Sequence, residues 1–278
     1  MPDYRIIALD LDGTLLNSNK ELTERSRAVL EKAAAEGIEI VPTTGRFYDG
    51  MPEAIRQLPL IRYFIAMNGA EVRDLQTGEL IYAAEMPWQQ CVEIMTEFDS
   101  LPFIYDCYMN SAGWMSGEFM DRVDSVIDSP HFRALVHRTR NRVPELKAFL
   151  RKRGQDVQKI SCFTRDEPLR LEMLSTLAQR YENIIVSSSV DQNIEINHIN
   201  ANKGAALQAL AKHLSIPLSS TMSFGDGLND LSMLRDAGLG IAMANACPEA
   251  KACAKALTAS CDEDGVAKAI EKYCFNIN

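Results

Sequence analysis

Tyr4-Arg5-Ile6-Ile7-Ala8-Leu9-Asp10-Leu11-Asp12-Gly13-Thr14 is a short apolar run that stops at two aspartates and a glycine. Consecutive aliphatic residues bounded by a turn signal read as a strand buried on both faces, the kind found in parallel sheets. Thr23 to Glu36 then reads as a helix with apolar Ala28, Val29, Ala33 and Ala34, stopped by Gly37. Ile38 to Val41 is a second strand, capped by Pro42. Strand, helix and strand in this order predict an α/β fold with a parallel sheet, whose sites form beyond the carboxyl ends of the strands.

Farther along, the pattern predicts a helix from Phe47 to Gln57, a strand near Tyr63 to Ala66, and short strands around Glu71 to Arg73 and Leu80 to Ala83, separated by the Thr77-Gly78 turn. From about Ala84 the texture changes. Helical segments near Trp88 to Phe98, Glu118 to Ile127, Pro144 to Arg153 and Pro168 to Tyr181 alternate with strands near Pro102 to Cys107 and Val157 to Phe163. After Asn193 the simple alternation returns with Ile194 to Ile196, a helix from Asn202 to Leu214, Thr221 to Phe224, a helix through Leu228 to Asp236, Gly238 to Met243 and two closing helices. The expected organisation is a core domain made from residues 1–83 and 193–278, with a second α/β domain, 84–192, inserted into it.

Composition narrows the partners. The 278 residues carry 29 Lys plus Arg against 38 Asp plus Glu, a net charge of -9 that repels a phosphate backbone, so no nucleic acid is expected. No apolar run reaches the ~18 residues of a membrane span. Met1-Pro2-Asp3-Tyr4-Arg5 lacks the basic and apolar segments of an export signal. Seven scattered cysteines without a Cys-x-x-Cys pair argue against a zinc cage or a disulfide framework, and for a cytoplasmic setting.

Asp10 and Asp12 stand at the end of the first strand, and period-two geometry points both side chains the same way if the strand persists that far. Two carboxylates ~4 Å apart repel by about 4 kcal/mol at an effective dielectric near 20, so the pair asks for a proton or a cation; a hard divalent metal suits it. An Asp followed by Gly also ends a strand in an ordinary turn. A second acidic pair, Asp226 and Asp230 in Asp226-Gly227-Leu228-Asn229-Asp230, follows another buried strand. Either aspartate alone could cap a helix, but two pairs at strand ends are harder to dismiss. Thr43-Thr44-Gly45-Arg46 after the second strand and Lys203 at a helix start supply a hydroxyl and an ammonium, which suit the three charged oxygens of a phosphoryl group. Taken singly, a Thr-Gly begins a loop and a lone lysine is solvated.

These motifs, with Asn68-Gly69-Ala70 and Lys203-Gly204, resemble in order and rough spacing the haloacid dehalogenase superfamily, within it the Cof-type sugar-phosphatase-like branch. The resemblance spans nearly the whole chain and implies a Rossmann-like core with an inserted α/β cap that sets specificity. It implies a Mg²⁺-dependent phosphohydrolase acting on small phosphorylated metabolites such as sugar phosphates. Asp10 would be the nucleophile, forming an aspartyl-phosphate, and Asp12 the proton-holding general acid and later the base. Mg²⁺ would be held by Asp10, the carbonyl of Asp12 and Asp226, with Asp230 acting directly or through water. Phosphate would be held by the amide of Leu11, by Thr44 and Gly45, and by Lys203 and Asn229. A phosphomutase or phosphotransferase, or a non-catalytic module that accepts phosphate or senses a sugar phosphate, are the competing readings. His198, where such proteins often carry Pro or Gly, receives no role.

Arg133 to Arg153 holds eight basic residues against Glu145 alone and reads mainly as a solvated face. Tyr105, Tyr108 and Trp114 read as packing around a hairpin.

Overall fold

A computed structural model of the chain describes residues 4–188 and 192–277; Met1, Pro2 and Asp3 of the N-terminal reading lie outside that range. The strands are β1 (Ile6–Leu9), β2 (Glu39–Pro42), β3 (Tyr63–Ala66), β4 (Glu71–Asp74), β5 (Leu80–Ala83), β6 (Ile104–Met109), β7 (Ala112–Ser116) and β8 (Arg140–Val143). There follow β9 (Lys159–Phe163), β10 (Ile184–Ser187), β11 (Asn193–His198), β12 (Thr221–Gly225), β13 (Leu239–Ala242) and β14 (Ala256–Leu257). The protein is a mixed α/β chain of two compact units, one built from residues up to Arg46, Met51–Ala83 and from Asn202 onward, the other from Phe47–Gly50 and Ala84–Ala201.

In the first unit a parallel sheet runs β14-β13-β12-β1-β2. Strand β1 lies inside it, between β12 and β2, and every one of its residues is buried, as its unbroken apolar run requires. Ile6, Ala8 and Val41 pack with Ile65 and Val72 of the small antiparallel sheet β3-β4-β5 and with Ala206, Leu207 and Leu210 of the helix Lys203–His213. Each of the Val, Leu and Ile side chains among them contributes about 1.5–3 kcal/mol on leaving water. The register Leu9 to Phe224 and Leu9 to Pro42 brings the carboxyl ends of β12, β1 and β2 side by side.

The second unit is a six-stranded sheet in the order β10-β11-β9-β6-β7-β8. Cys107, Ile160, Cys162, Ile194 and Ile196 face helices Trp88–Phe98 and Leu146–Arg153, meeting Ile94, Phe98 and Leu150. Among the described residues no helix is long and apolar enough to cross a membrane.

Three elements differ from expectation. The helix expected at Phe47 to Gln57 is a single turn at Tyr48–Gly50 and a short helix at Glu53–Arg56, because Pro52 disfavours helical backbone in the residue before it. The strand expected to rejoin the first sheet, β11, lies antiparallel between β9 and β10 of the second. Its apolar alternation suits either sheet, but the hairpin with β10 needs only a short connection. The basic run is also not one solvated face. Arg140 is buried, its Nε donating to Asp106 Oδ2 at 2.6 Å, while Arg142 pairs with exposed Asp121.

Candidate active site

β1 ends one residue before Asp10, whose amide donates to Phe224 O of β12 at 3.1 Å. The neighbouring strands end at Pro42, just before Thr43-Thr44, and at Gly225, just before Asp226, so three loops meet at one edge of the sheet. Carboxylate oxygens of Asp10, Asp226 and Asp230 lie within 4.8 Å of one another. Lys203 opens the helix Lys203–His213, fully buried, and its Nζ donates to Asp10 Oδ1 at 2.6 Å and to Asp230 Oδ1 at 2.5 Å. With all three ionised, three carboxylates against one ammonium leave two negative charges uncompensated at a largely buried site. Burial pushes the Asp10 carboxyl up to about 8, with repulsion from Asp230 and Asp226 adding and Lys203 opposing. Burial likewise raises Asp226. The Lys203 ammonium is disfavoured by burial but held charged by Asp10 and Asp230, so its pKa lies above the ordinary lysine value.

The remaining contacts set the loops. Asp230 Oδ2 accepts the amides of Asp226 and Gly227, both at 2.9 Å, which orients the loop after β12. Thr14 donates its hydroxyl to Asp226 Oδ1 at 2.8 Å. Gly13 between them has φ +85°, and a Cβ there would lie 2.6 Å from Asp226 Oδ2, so only glycine fits this turn. Thr44 is buried and its hydroxyl accepts the Arg46 amide at 3.2 Å.

Asp12 departs from expectation. The strand does not persist to it, and its side chain is absent from the carboxylate cluster. Arg46 grips it from two nitrogens, Nε to Oδ2 at 2.8 Å and Nη2 to Oδ1 at 2.9 Å, and Lys20 Nζ stands 3.0 Å from Oδ1. Burial raises its pKa, but Arg46 first and Lys20 second outweigh that and hold the carboxyl below its ordinary value. The protonation expected of the pair is therefore reversed in this arrangement: Asp10 favours the proton and Asp12 the charge.

Of the other residues read from sequence, Leu11 is buried beside Asp10, and Asn229 is exposed, its Nδ2 donating to Asn68 Oδ1 at 3.1 Å. Gly45 lies against the Asn68 carboxamide. The roles of Arg46, Lys20 and Asn68 escaped the sequence reading. Arg46 and Asn68 stood inside the motifs Thr43-Thr44-Gly45-Arg46 and Asn68-Gly69-Ala70, a usable signal; exposed Lys20 carried none.

A divalent cation fits the cluster: the donors are all oxygen, as Mg²⁺ demands, and the uncompensated charge equals that of the ion. Fold and site define an α/β enzyme centred on carboxylates. The chain matches the family model for haloacid dehalogenase-like hydrolases over residues 7–270. It is 32% identical to Phosphatase YwpJ of Bacillus subtilis (strain 168), over 95% of this chain and 97% of that one. It is 31% identical to 5-amino-6-(5-phospho-D-ribitylamino)uracil phosphatase YcsE of the same organism, over 98% and 96%. A solved structure of a haloacid dehalogenase-like hydrolase from B. subtilis matches with a TM-score of 0.79 at 30% identity, covering 96% of this chain and 99% of that one. The protein belongs to the haloacid dehalogenase-like hydrolases and is a phosphatase, a phosphoric monoester hydrolase.

Proposed function

We propose that the protein hydrolyses phosphate monoesters of small metabolites, sugar phosphates or similar compounds, through an aspartyl-phosphate on Asp10. The observation that carries this reading is the buried Lys203 bridging Asp10 and Asp230 beside Asp226. Asp10 Oδ attacks phosphorus in line, the ester oxygen leaves with a proton from Asp12, and the ionised Asp12 then takes a proton from the water that hydrolyses the acyl phosphate. The bidentate grip of Arg46 holds Asp12 in its basic form, suited to that second step; to donate a proton first, Asp12 has to leave Arg46. Lys203, the Thr44 hydroxyl, Asn229 and the amides of Leu11 and Gly45 hold phosphoryl oxygens, stabilising charge that grows in the transition state.

Mg²⁺ would be held by Asp10, Asp226 and the Asp12 carbonyl, and when bound it neutralises charge on the phosphoryl oxygens. Asp230, with Oδ1 on Lys203 and Oδ2 on two amides, acts behind these ligands. The second unit is read as the cap that selects the leaving group. YcsE is named for a phosphorylated ribitylamino-uracil, which supports a polyhydroxylated or heterocyclic leaving group here. A cytoplasmic setting belongs to the same reading, supported by seven free cysteines. The test is inorganic phosphate release from a panel of phosphate esters with Mg²⁺ and with chelator. Metal-dependent release with water as acceptor supports the proposal; transfer of phosphate to a second sugar hydroxyl instead, or no release, overturns it.

A further inference from the structure

Asn68-Gly69-Ala70 takes no part in the chemistry above, yet three loops of the site converge on it. Met67, Asn68 and Gly69 have φ of +50°, +59° and +95° in succession, a left-handed turn closed by the Ala70 amide on Met67 O at 3.1 Å. Asparagine tolerates this region and glycine prefers it, but a buried methionine does not. Such strain persists only where surrounding contacts impose it.

Those contacts all belong to the site. The Met67 amide donates to Arg46 O at 3.0 Å and the Asn68 amide to Thr44 O at 3.1 Å, so the turn holds both ends of the Thr44-Gly45-Arg46 loop. A Cβ on Gly45 would lie 2.7 Å from Asn68 Oδ1, and one on Gly69 would lie 2.3 Å from Asn202 O and 2.8 Å from Lys203 N. Asn68 Oδ1 accepts Asn229 Nδ2 at 3.1 Å. One buried carboxamide thus lies on the loop of Thr44 and anchors the side chain of Asn229, while the next residue abuts the start of the Lys203 helix.

We propose that Asn68 is a positioning residue, which through its amide to Thr44 and its side chain to Asn229 sets the spacing of the groups that hold the phosphoryl oxygens. The inference rests on the phosphate-holding roles given above to Thr44 and Asn229. Asn68 itself need not touch substrate.

Asn68→Gly keeps the positive φ and removes only the carboxamide, so the chain folds, which thermal melting checks. Its KM for 4-nitrophenyl phosphate and the Ki of inorganic phosphate rise at least tenfold, while the melting temperature stays within a few degrees. Asn229→Ala, at an exposed position, closes the cycle. Residues acting through one link are non-additive, so the double variant is no worse than the worse single one. A purely structural role lowers the melting temperature and leaves KM and Ki within twofold, which overturns the inference; so do effects that multiply in the double variant. A wild type that releases no phosphate overturns the underlying reading together with this one, whereas an active wild type matched within twofold by Asn68→Gly overturns this one alone.

Discussion

Lys203 Nζ lies 2.6 Å from Asp10 Oδ1, joining the start of a helix to the end of β1 across 193 positions of sequence, with both side chains buried. A lysine is rarely so buried unless paired, and here it counters two of three clustered carboxylates.

Lys203→Met therefore leaves Asp10 and Asp230 facing each other without a counter-charge. The expected cost is about 3–5 kcal/mol of folding free energy, as when one partner of a buried ion pair is removed. Urea denaturation measures it. A loss below about 1 kcal/mol, the range of exposed pairs, would contradict the assigned pairing.

The raised pKa of Asp10 gives a pH dependence with a definite sign. In the unfolded chain its carboxyl titrates near 3.8, and in the metal-free fold near about 8. Its contribution to stability is thus fully present below 3.8 and is lost as pH rises through about 8. Asp10→Asn, which has no proton to lose, gains melting temperature relative to wild type across that window in chelator, and it has no turnover. A difference that stays flat with pH would count against the buried, metal-free state described for Asp10.

Gly13→Ala brings a Cβ to 2.6 Å from Asp226 Oδ2 at a backbone φ of +85°. The left-handed conformation alone costs about 1–2 kcal/mol, and the carboxylate has to move. Reduced stability together with a higher Mg²⁺ concentration for half-maximal activity is expected from melting curves and metal titrations. An unchanged metal requirement sinks the proposed role of Asp226.

Arg46→Gln removes the stronger of the two cations that hold Asp12 ionised. The Asp12 pKa then rises, and the alkaline limb of the kcat/KM profile, set by loss of the proton-donating form, moves to higher pH. A limb that stays put, or moves down, excludes Asp12 as the acid.

Much of the site was legible because each acid ends an apolar run: Asp10 after Ile6–Leu9 and Asp226 after Thr221–Gly225 are marked by the strands that carry them. The partner of Asp12 was not legible, since a two-residue spacing implies a shared face only while the strand continues, and it stops at Leu9. The second unit was harder for the same reason. β8, Arg140-Asn141-Arg142-Val143, has no apolar alternation, and the burial of Arg140 depends on Asp106, 34 positions away. Such strands are held by tertiary pairing rather than local pattern. β11 shows the complementary limit: its alternation was visible, but a pattern names a face and not the sheet that receives it.

The placement of β1 inside its sheet, between β12 and β2, with Thr14 bonded to Asp226 from 212 positions away, bears on how the enzyme is born. At roughly 5–20 residues per second on the ribosome, the first strand made waits about 10–40 s for β12 to be synthesised. A nascent chain interrupted before that point carries Asp10 without Asp226 and Asp230, so the carboxylate cluster is completed late in translation and all at once.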